Sequence, residues 1–227
     1  MSERFRRLLP DPAGDLSADD LARAVPGEPP DGRPFVLVNM IATADLRATI
    51  AGRTGPIANR ADYELFHALR SRVDTVMVGA ETVRVESYGP MVPAAVLVTR
   101  SVAVPADVGL LRAAGNRVIV LTPSPHAELP PTEADVRYLR GELADGVRRL
   151  RSELGVRSLL CEGGPQLLGD LLRARMVDEL HLVIAPKLVA GADPLTIVTG
   201  FALEPPADLV LLSVHESGGY LFLRYRL

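Results

Sequence analysis

Unbroken apolar runs, each about one β-strand long, recur along the chain. Pro34–Ala42 (PFVLVNMIA), Val73–Val78, Ala94–Thr99, Arg117–Leu121 and Ser158–Cys161 are apolar on both parities. That is the pattern of strands covered on both faces. Asp178–Ala185 continues the series and Val136–Leu139 adds a shorter member. Between the runs the spacing turns helical. Asn59–Arg72 sets Ala61, Leu65 and Leu69 on one stripe behind a capping Asn59. Glu142–Leu154 does the same with Leu143, Val147, Leu150 and Leu154, and Gly155 supplies its stop. Gln166–Ala174 is a third helix, with Pro165 suited to its first turn. The alternation predicts an α/β fold with a mostly parallel central sheet and helices on both faces. At the end, Leu209–Glu216 and Tyr220–Leu227 flank Ser217-Gly218-Gly219, which predicts an antiparallel hairpin. Residues 1–33 form a polar, proline-rich lead-in, with a capped helix start at Ser17-Ala18-Asp19-Asp20-Leu21. This lead-in is expected to lie against the domain of residues 34–227 or against a partner subunit.

Composition narrows the classes. With 48% hydrophobic and 23% charged residues, 227 residues suffice for a full globular core. A net charge of −3 offers no general attraction to nucleic acid. No run approaches the length of a membrane helix, and Met1–Arg7 lacks the apolar segment of a secretory signal. The expectation is a cytoplasmic protein. Cys161 is the single cysteine, set in an apolar run where a buried, inert thiol is expected. Lys187 is the single lysine, so Schiff-base chemistry would rest on it alone.

Several catalytic classes lack their residues. There is no Gly-x-Ser-x-Gly elbow, Walker loop or Gly-x-Gly-x-x-Gly after a strand. His67, His126, His181 and His215 lack metal-ligand spacing, so no metal is expected. His181 and His215 fall in strands and are expected to alternate outward. What remains is a set of strand ends. Glu162-Gly163-Gly164-Pro165 joins a strand to a helix, and its bare glycines and free helix N–H groups suit a phosphate. Gly79-Ala80-Glu81-Thr82-Val83-Arg84 and Thr99-Arg100-Ser101 follow two further strands. Ligands gather beyond the carboxyl ends of strands in open α/β sheets. A guanidinium there suits a terminal phosphate. Each feature alone reads equally as a turn, a cap or a solvated charge. Together they favour a dinucleotide.

These residues resemble the reductase half of the bacterial bifunctional riboflavin-biosynthesis deaminase-reductases, a domain related to dihydrofolate reductase. The free-standing pyrimidine reductase family is the nearest match. The likeness is carried by Asn39-Met40-Ile41-Ala42-Thr43-Ala44-Asp45 through Gly52, by Val78-Gly79-Ala80-Glu81-Thr82-Val83-Arg84 through Gly89, and by Glu162-Gly163-Gly164-Pro165. Val177–Leu182 and Gly218–Tyr225 fit as well, so the resemblance spans residues 33 to 227.

The resemblance implies a dihydrofolate-reductase-like fold, NADPH as cofactor and a homodimer. Glu162, Gly163, Gly164 and Pro165, with Gln166 and Leu167 in the helix start, would line the cofactor's pyrophosphate and nicotinamide region. Gly79, Thr82 and Val83 would add backbone and hydroxyl contacts, and Thr99 and Arg100 would hold the adenosine 2′-phosphate. Ala42, Ile50 and Gly52 would wall the nicotinamide. Substrate would sit among Asn39, Asp45, Arg84, Glu86 and Tyr88. The implied reaction is hydride transfer to a C=N bond, of the 5-amino-6-(5-phosphoribosylamino)uracil type. Asp45 is the first candidate for the proton donor and Glu162 the second. Asp45 reads equally as a loop residue capping a turn, and Glu162 also as an ion-pair partner of a neighbouring arginine. A dihydrofolate-type or secondary-metabolism reductase on the same fold, and an NADPH-binding protein without turnover, remain open beside it. The chain departs from the family in one place. Leu46 follows Asp45 where the family has glycine, and the nearest glycine is Gly52. Family lysines that would bind a ribosyl phosphate are missing, which leaves Arg47, Arg53 and Arg84.

Overall fold

A computed structural model describes residues 2–192 and 195–227 and arranges them around one sheet. The first half of the chain supplies β1 (Phe5–Leu9), β2 (Ala13–Leu16), α1 (Ala18–Ala22), β3 (Phe35–Thr43), α2 (Arg60–Arg70), β4 (Thr75–Gly79), α3 (Ala80–Glu86), β5 (Ala94–Val98) and α4 (Gly109–Arg112). The second half supplies β6 (Arg117–Thr122), β7 (Asp135–Arg140), α5 (Leu143–Leu154), β8 (Ser158–Cys161), α6 (Pro165–Arg173), β9 (Glu179–Ala185), β10 (Val210–Ser217) and β11 (Tyr220–Arg226).

The strand order is β2-β1-β10-β11-β9-β3-β8-β4-β5-β6-β7. From β9 through β7 every pairing is parallel, whereas β11, β10, β1 and β2 add on antiparallel. Two cores result. Helices α1 to α4 cover one face, where Leu21, Leu65, Leu69, Val83 and Leu110 meet Leu37, Val76 and Leu97. Helices α5 and α6 cover the other, where Val147, Leu150, Leu168 and Leu171 meet Val38, Met77 and Leu159.

Local chemistry explains the element ends. Asn59 Oδ1 accepts from the Asp62 N–H at 2.9 Å and starts α2. Ser17 and Asp20 form a reciprocal capping box on α1. Gly155 adopts φ 69° and ends α5. Gly218 and Gly219, at φ 58° and 82°, make the two-residue turn that pairs Ser217 with Tyr220.

Three regions differ from the sequence pattern. The lead-in holds β1 and β2, which extend the sheet beyond β10, where the polar composition signals no strand. The short α4 is also unannounced. His181 does not face outward: it is 6% exposed, on the same side of β9 as Val183 and Ala185. Glu179 and His181 share that side, so alternation points it outward, but helix α1 covers it and Arg224 pairs with Glu179 at 2.7 Å. His215 is half-buried. Among the described residues no helix is long and apolar enough to cross a membrane.

Candidate active site

The strand β8 delivers Glu162-Gly163-Gly164 to the sheet edge, and Pro165 starts α6 directly behind them. The Gly163 carbonyl accepts from the Gly79 N–H at 3.0 Å, so the turns ending β8 and β4 are tied together. The β8 turn leaves little room for side chains. A Cβ on Gly164 would lie 3.1 Å from Thr82 Oγ1, and Gly163 holds φ 107° with Met40 Sδ 3.5 Å from its missing Cβ. The Gly163–Gly164 peptide is cis. No side chain caps α6, so its first N–H groups stay open at the positive end of the helix dipole. Bare backbone, a free helix start and the Thr82 hydroxyl fit a pyrophosphate.

Beside this turn lies a cavity of about 510 Å³, bounded by the end of β3, one side of α2, helix α3 and the glycine turn. Glu162 anchors its floor. Its carboxylate accepts from Arg70 Nε at 2.5 Å, Arg70 Nη2 at 2.6 Å and the Tyr88 hydroxyl at 3.0 Å. Arg70 in turn stacks over Phe66, 4.1 Å from the ring centroid. Burial pushes the Glu162 carboxyl above its ordinary value, while Arg70 and Tyr88 pull it back. Burial also raises the Tyr88 phenol well above the ordinary range.

Two acceptors in this cavity have no protein partner among the described residues. Asn39 Oδ1 is buried and unpaired. Asp62, in the first turn of α2, receives no hydrogen bond on its carboxylate, and burial raises its pKa to about 6. Glu86 also lines the wall, but its carboxylate is taken by the Thr54 N–H and hydroxyl at 2.8 and 3.0 Å.

Asp45 sits differently. Its carboxylate accepts from the Thr43 hydroxyl at 2.6 Å and from the Val189 and Ala190 N–H groups at 3.2 and 2.7 Å. The Thr43 hydroxyl and then the Ala190 N–H hold its pKa down to about 2. Asp45 does not line the cavity. It pins the segment after β9 to the turn after β3. Within that turn Leu46 takes φ 64°, the left-handed conformation that glycine adopts freely.

Of the other candidates, Gly52, Thr82, Glu86, Tyr88, Glu162, Gly163, Gly164 and Pro165 meet at the cavity with Asn39. Ala42, Val83 and Leu167 are buried in the cores, and Ile50 packs against one of them. Arg84 turns away, bonding the Ala103 carbonyl at 2.5 Å and Glu81. Gly79 touches the cavity's floor through its bond to Gly163. Thr99 and Arg100 stand apart, at a second cavity of about 390 Å³ farther along α6, near Asp170 and Arg173. Arg100 is 76% exposed and meets Asp170 at 3.2 Å. Gln166 leans along α6 to Asp170 at 3.3 Å.

The sequence reading passed over Asp62, Phe66 and Arg70, which line the cavity from α2. Their i, i+4, i+8 spacing, next to the apolar stripe of Ala61, Leu65 and Leu69, was the available signal. Lys187 plays a structural part, its Nζ donating to the Pro56 and Ile57 carbonyls at 2.6 and 3.0 Å. Cys161 is fully buried and its thiol is pushed up to about 12.

Residues 34–218 match the model of the RibD C-terminal domain family. A 2,5-diamino-6-ribosylamino-4(3H)-pyrimidinone 5′-phosphate reductase of Methanothermobacter thermautotrophicus is 29% identical over 204 residues, covering 82% of this chain and 93% of that protein. The protein of the same name from Aquifex aeolicus is 28% identical, covering 81% and 91%. Among solved structures, a pyrimidine reductase-like protein from Corynebacterium diphtheriae superposes with a TM-score of 0.74 at 23% identity, covering 93% of this chain and 98% of its own. This likeness shows a shared fold.

Proposed function

The chain belongs to the RibD C-terminal domain family, and from that premise we propose that it is a pyrimidine reductase of riboflavin biosynthesis using NADPH. The substrate proposed is a phosphoribosylaminopyrimidine, either the 2,5-diamino-pyrimidinone named for its relatives or the 5-amino-uracil counterpart. The observation that carries the reading is the cavity's pair of unpaired acceptors, Asn39 Oδ1 and the Asp62 carboxyl, beside a glycine turn built for a pyrophosphate.

A bound nicotinamide cofactor would supply the hydride. The chain supplies position and a proton. Gly163, Gly164 and the open start of α6 hold the pyrophosphate region, with Thr82 adding its hydroxyl. Thr99 and Arg100 hold the 2′-phosphate, which would compete with Asp170 for the guanidinium. Asn39 Oδ1 accepts from an amino group or ring N–H of the pyrimidine. Arg70, held by Glu162 and stacked on Phe66, fixes this part of the wall.

Reducing C=N leaves nitrogen in need of a proton. Asp45, held ionised by three hydrogen-bond donors, carries none at neutral pH. Glu162 has both oxygens committed to Arg70, and one also to Tyr88. Asp62 faces the cavity uncommitted, with a pKa of about 6, so we assign it the acid's part in place of those two.

Mixing the protein with NADPH and each of the two phosphoribosylaminopyrimidines tests the reading. Oxidation of the reduced nicotinamide with at least one of them is expected. NADPH binding without oxidation in either mixture contradicts it. Arg100→Ala should weaken NADPH much more than NADH, and equal losses remove Arg100 from the 2′-phosphate. We also propose a cytoplasmic homodimer joined through the C-terminal strands, where Val210 and Leu211, with Leu209 just before them, are 51%, 41% and 42% exposed. Sedimentation showing only a 24.4 kDa species would exclude the dimer.

A further inference from the structure

A third cavity, of about 230 Å³, lies away from the glycine turn, beneath α1 and against strands β1, β9, β10 and β11. Its polar lining is Arg7, Asp20, His181, Ser213, His215 and Arg224. Four of these six can carry positive charge. The one carboxylate among them is already neutralised: Asp20 accepts from the Ser17 N–H and hydroxyl at 2.9 and 2.7 Å and from Arg23 at 3.0 Å. The donors are not fully spent. Arg224 gives Nε and Nη2 to Glu179 at 2.7 and 2.8 Å, with Nη2 also reaching the Ala24 carbonyl at 3.0 Å, so Nη1 is left over among the described residues. Arg7 commits Nε to the Asp11 carbonyl at 2.8 Å and, among the described residues, keeps both terminal nitrogens. His181 is more than nine-tenths buried and its Nε2 has no partner among the described residues. A buried, unpaired imidazole beside two guanidinium groups with spare N–H donors calls for an acceptor with several oxygens.

We propose that this cavity is a second ligand site, taking a small anion of the phosphate class, free or at the end of a short metabolite. Its size falls below the roughly 300 Å³ at which sites for larger organic ligands begin. The fold gives it a route to the active cavity, because His181 is the register partner of Asn39 on the neighbouring strand β3. The titration of the lining agrees with the geometry. Burial, and after it Arg224 and His215, lowers His181 to about 3, and burial with Arg7 and Arg224 lowers His215 to about 4. The charged groups facing them are Arg7 on β1, Asp20 on α1, Glu179 on β9 and Arg224 on β11. An anion offsets the two arginines and raises both imidazoles, so its affinity should grow as pH falls.

The test is histidine-selective NMR of the full chain at constant ionic strength, titrated with inorganic phosphate and, separately, with glycerol phosphate. Saturable shifts of His181 and His215, with His67 and His126 still and the shifts unchanged by saturating NADPH, are expected. Tighter binding of the monoester identifies a metabolite, and tighter binding of phosphate identifies the free ion. Arg7→Gln should weaken that binding about tenfold, the loss of a charge-assisted contact, and leave reduction without added anion unchanged. Unmoved His181 and His215 signals, or shifts abolished by NADPH, overturn the proposal.

Discussion

Asp45, in the turn after β3, and Asp62, in the first turn of α2, are carboxylates on one short stretch of chain with opposite fates. Asp45 lies at the surface, yet a hydroxyl and two backbone N–H groups hold its pKa to about 2. Asp62 has no such partners, and burial lifts it to about 6. Hydrogen bonding to the charged form dominates in one case and desolvation in the other. The first arrangement makes a fastener, which ties the turn to Val189 and Ala190. The second keeps a proton close to neutral pH, which is what an acid needs. Glu162 is the intermediate case, more deeply buried than Asp62 but matched by Arg70.

The comparison can be broken by removing a partner. Arg70→Ala leaves Glu162 buried without its counter-ion and should cost about 3–5 kcal/mol, read from the urea midpoint. A loss near zero would mean that water already supports the carboxylate. Asp62→Asn should act on activity and stability in opposite directions. Its raised pKa means the folded state holds the proton more tightly. The contribution to stability is full below the unfolded value of 3.8 and is lost as pH rises through about 6. The shift corresponds to about 3 kcal/mol, trimmed to about 1–2 kcal/mol for its half-buried position. Asp62→Asn should therefore gain that much stability at pH values well above 6, while kcat falls about a hundredfold. For Asp45 the sign reverses, its contribution being present above 3.8 and lost as pH falls through about 2. The smallest effect expected is from Leu46→Gly. It removes a left-handed cost of about 1–2 kcal/mol and adds unfolded-state freedom of about 0.5–1 kcal/mol. Unfolding should show a net gain of between about 0 and 1.5 kcal/mol. A net loss would mean that the exposed Leu46 side chain has a contact of its own to defend.

Legibility in the sequence followed how strongly burial constrains each stretch. Strands β3, β4, β5, β6 and β8 lie in the sheet's interior, where both faces must be apolar, and so they stand out as unbroken runs. Helices α2 and α5 were marked by Asn59 and Gly155 at their ends. Strands β1 and β2 lie at the sheet's antiparallel end, where Arg6, Arg7 and Asp15 are tolerated, so their composition looks like a loop. The glycine turn was visible because a close backbone approach leaves glycine as its trace. The α2 wall was not. Asp62, Phe66 and Arg70 are what a solvent-facing stripe also contains, and only the fold shows that this side of the helix faces a cavity. The distinction between Asp45 and Asp62 depends on backbone N–H groups from Val189 and Ala190, more than 140 residues away. No local spacing carries that information.

The most direct test of the account is the pH dependence of kcat for the wild type and for Asp62→Asn, with NADPH and the phosphoribosylaminopyrimidine that the protein reduces. The account predicts that wild-type kcat falls as pH rises through about 6 and that the variant is slow with no such limb. A variant that keeps both the rate and the limb would contradict it and return the proton to another group.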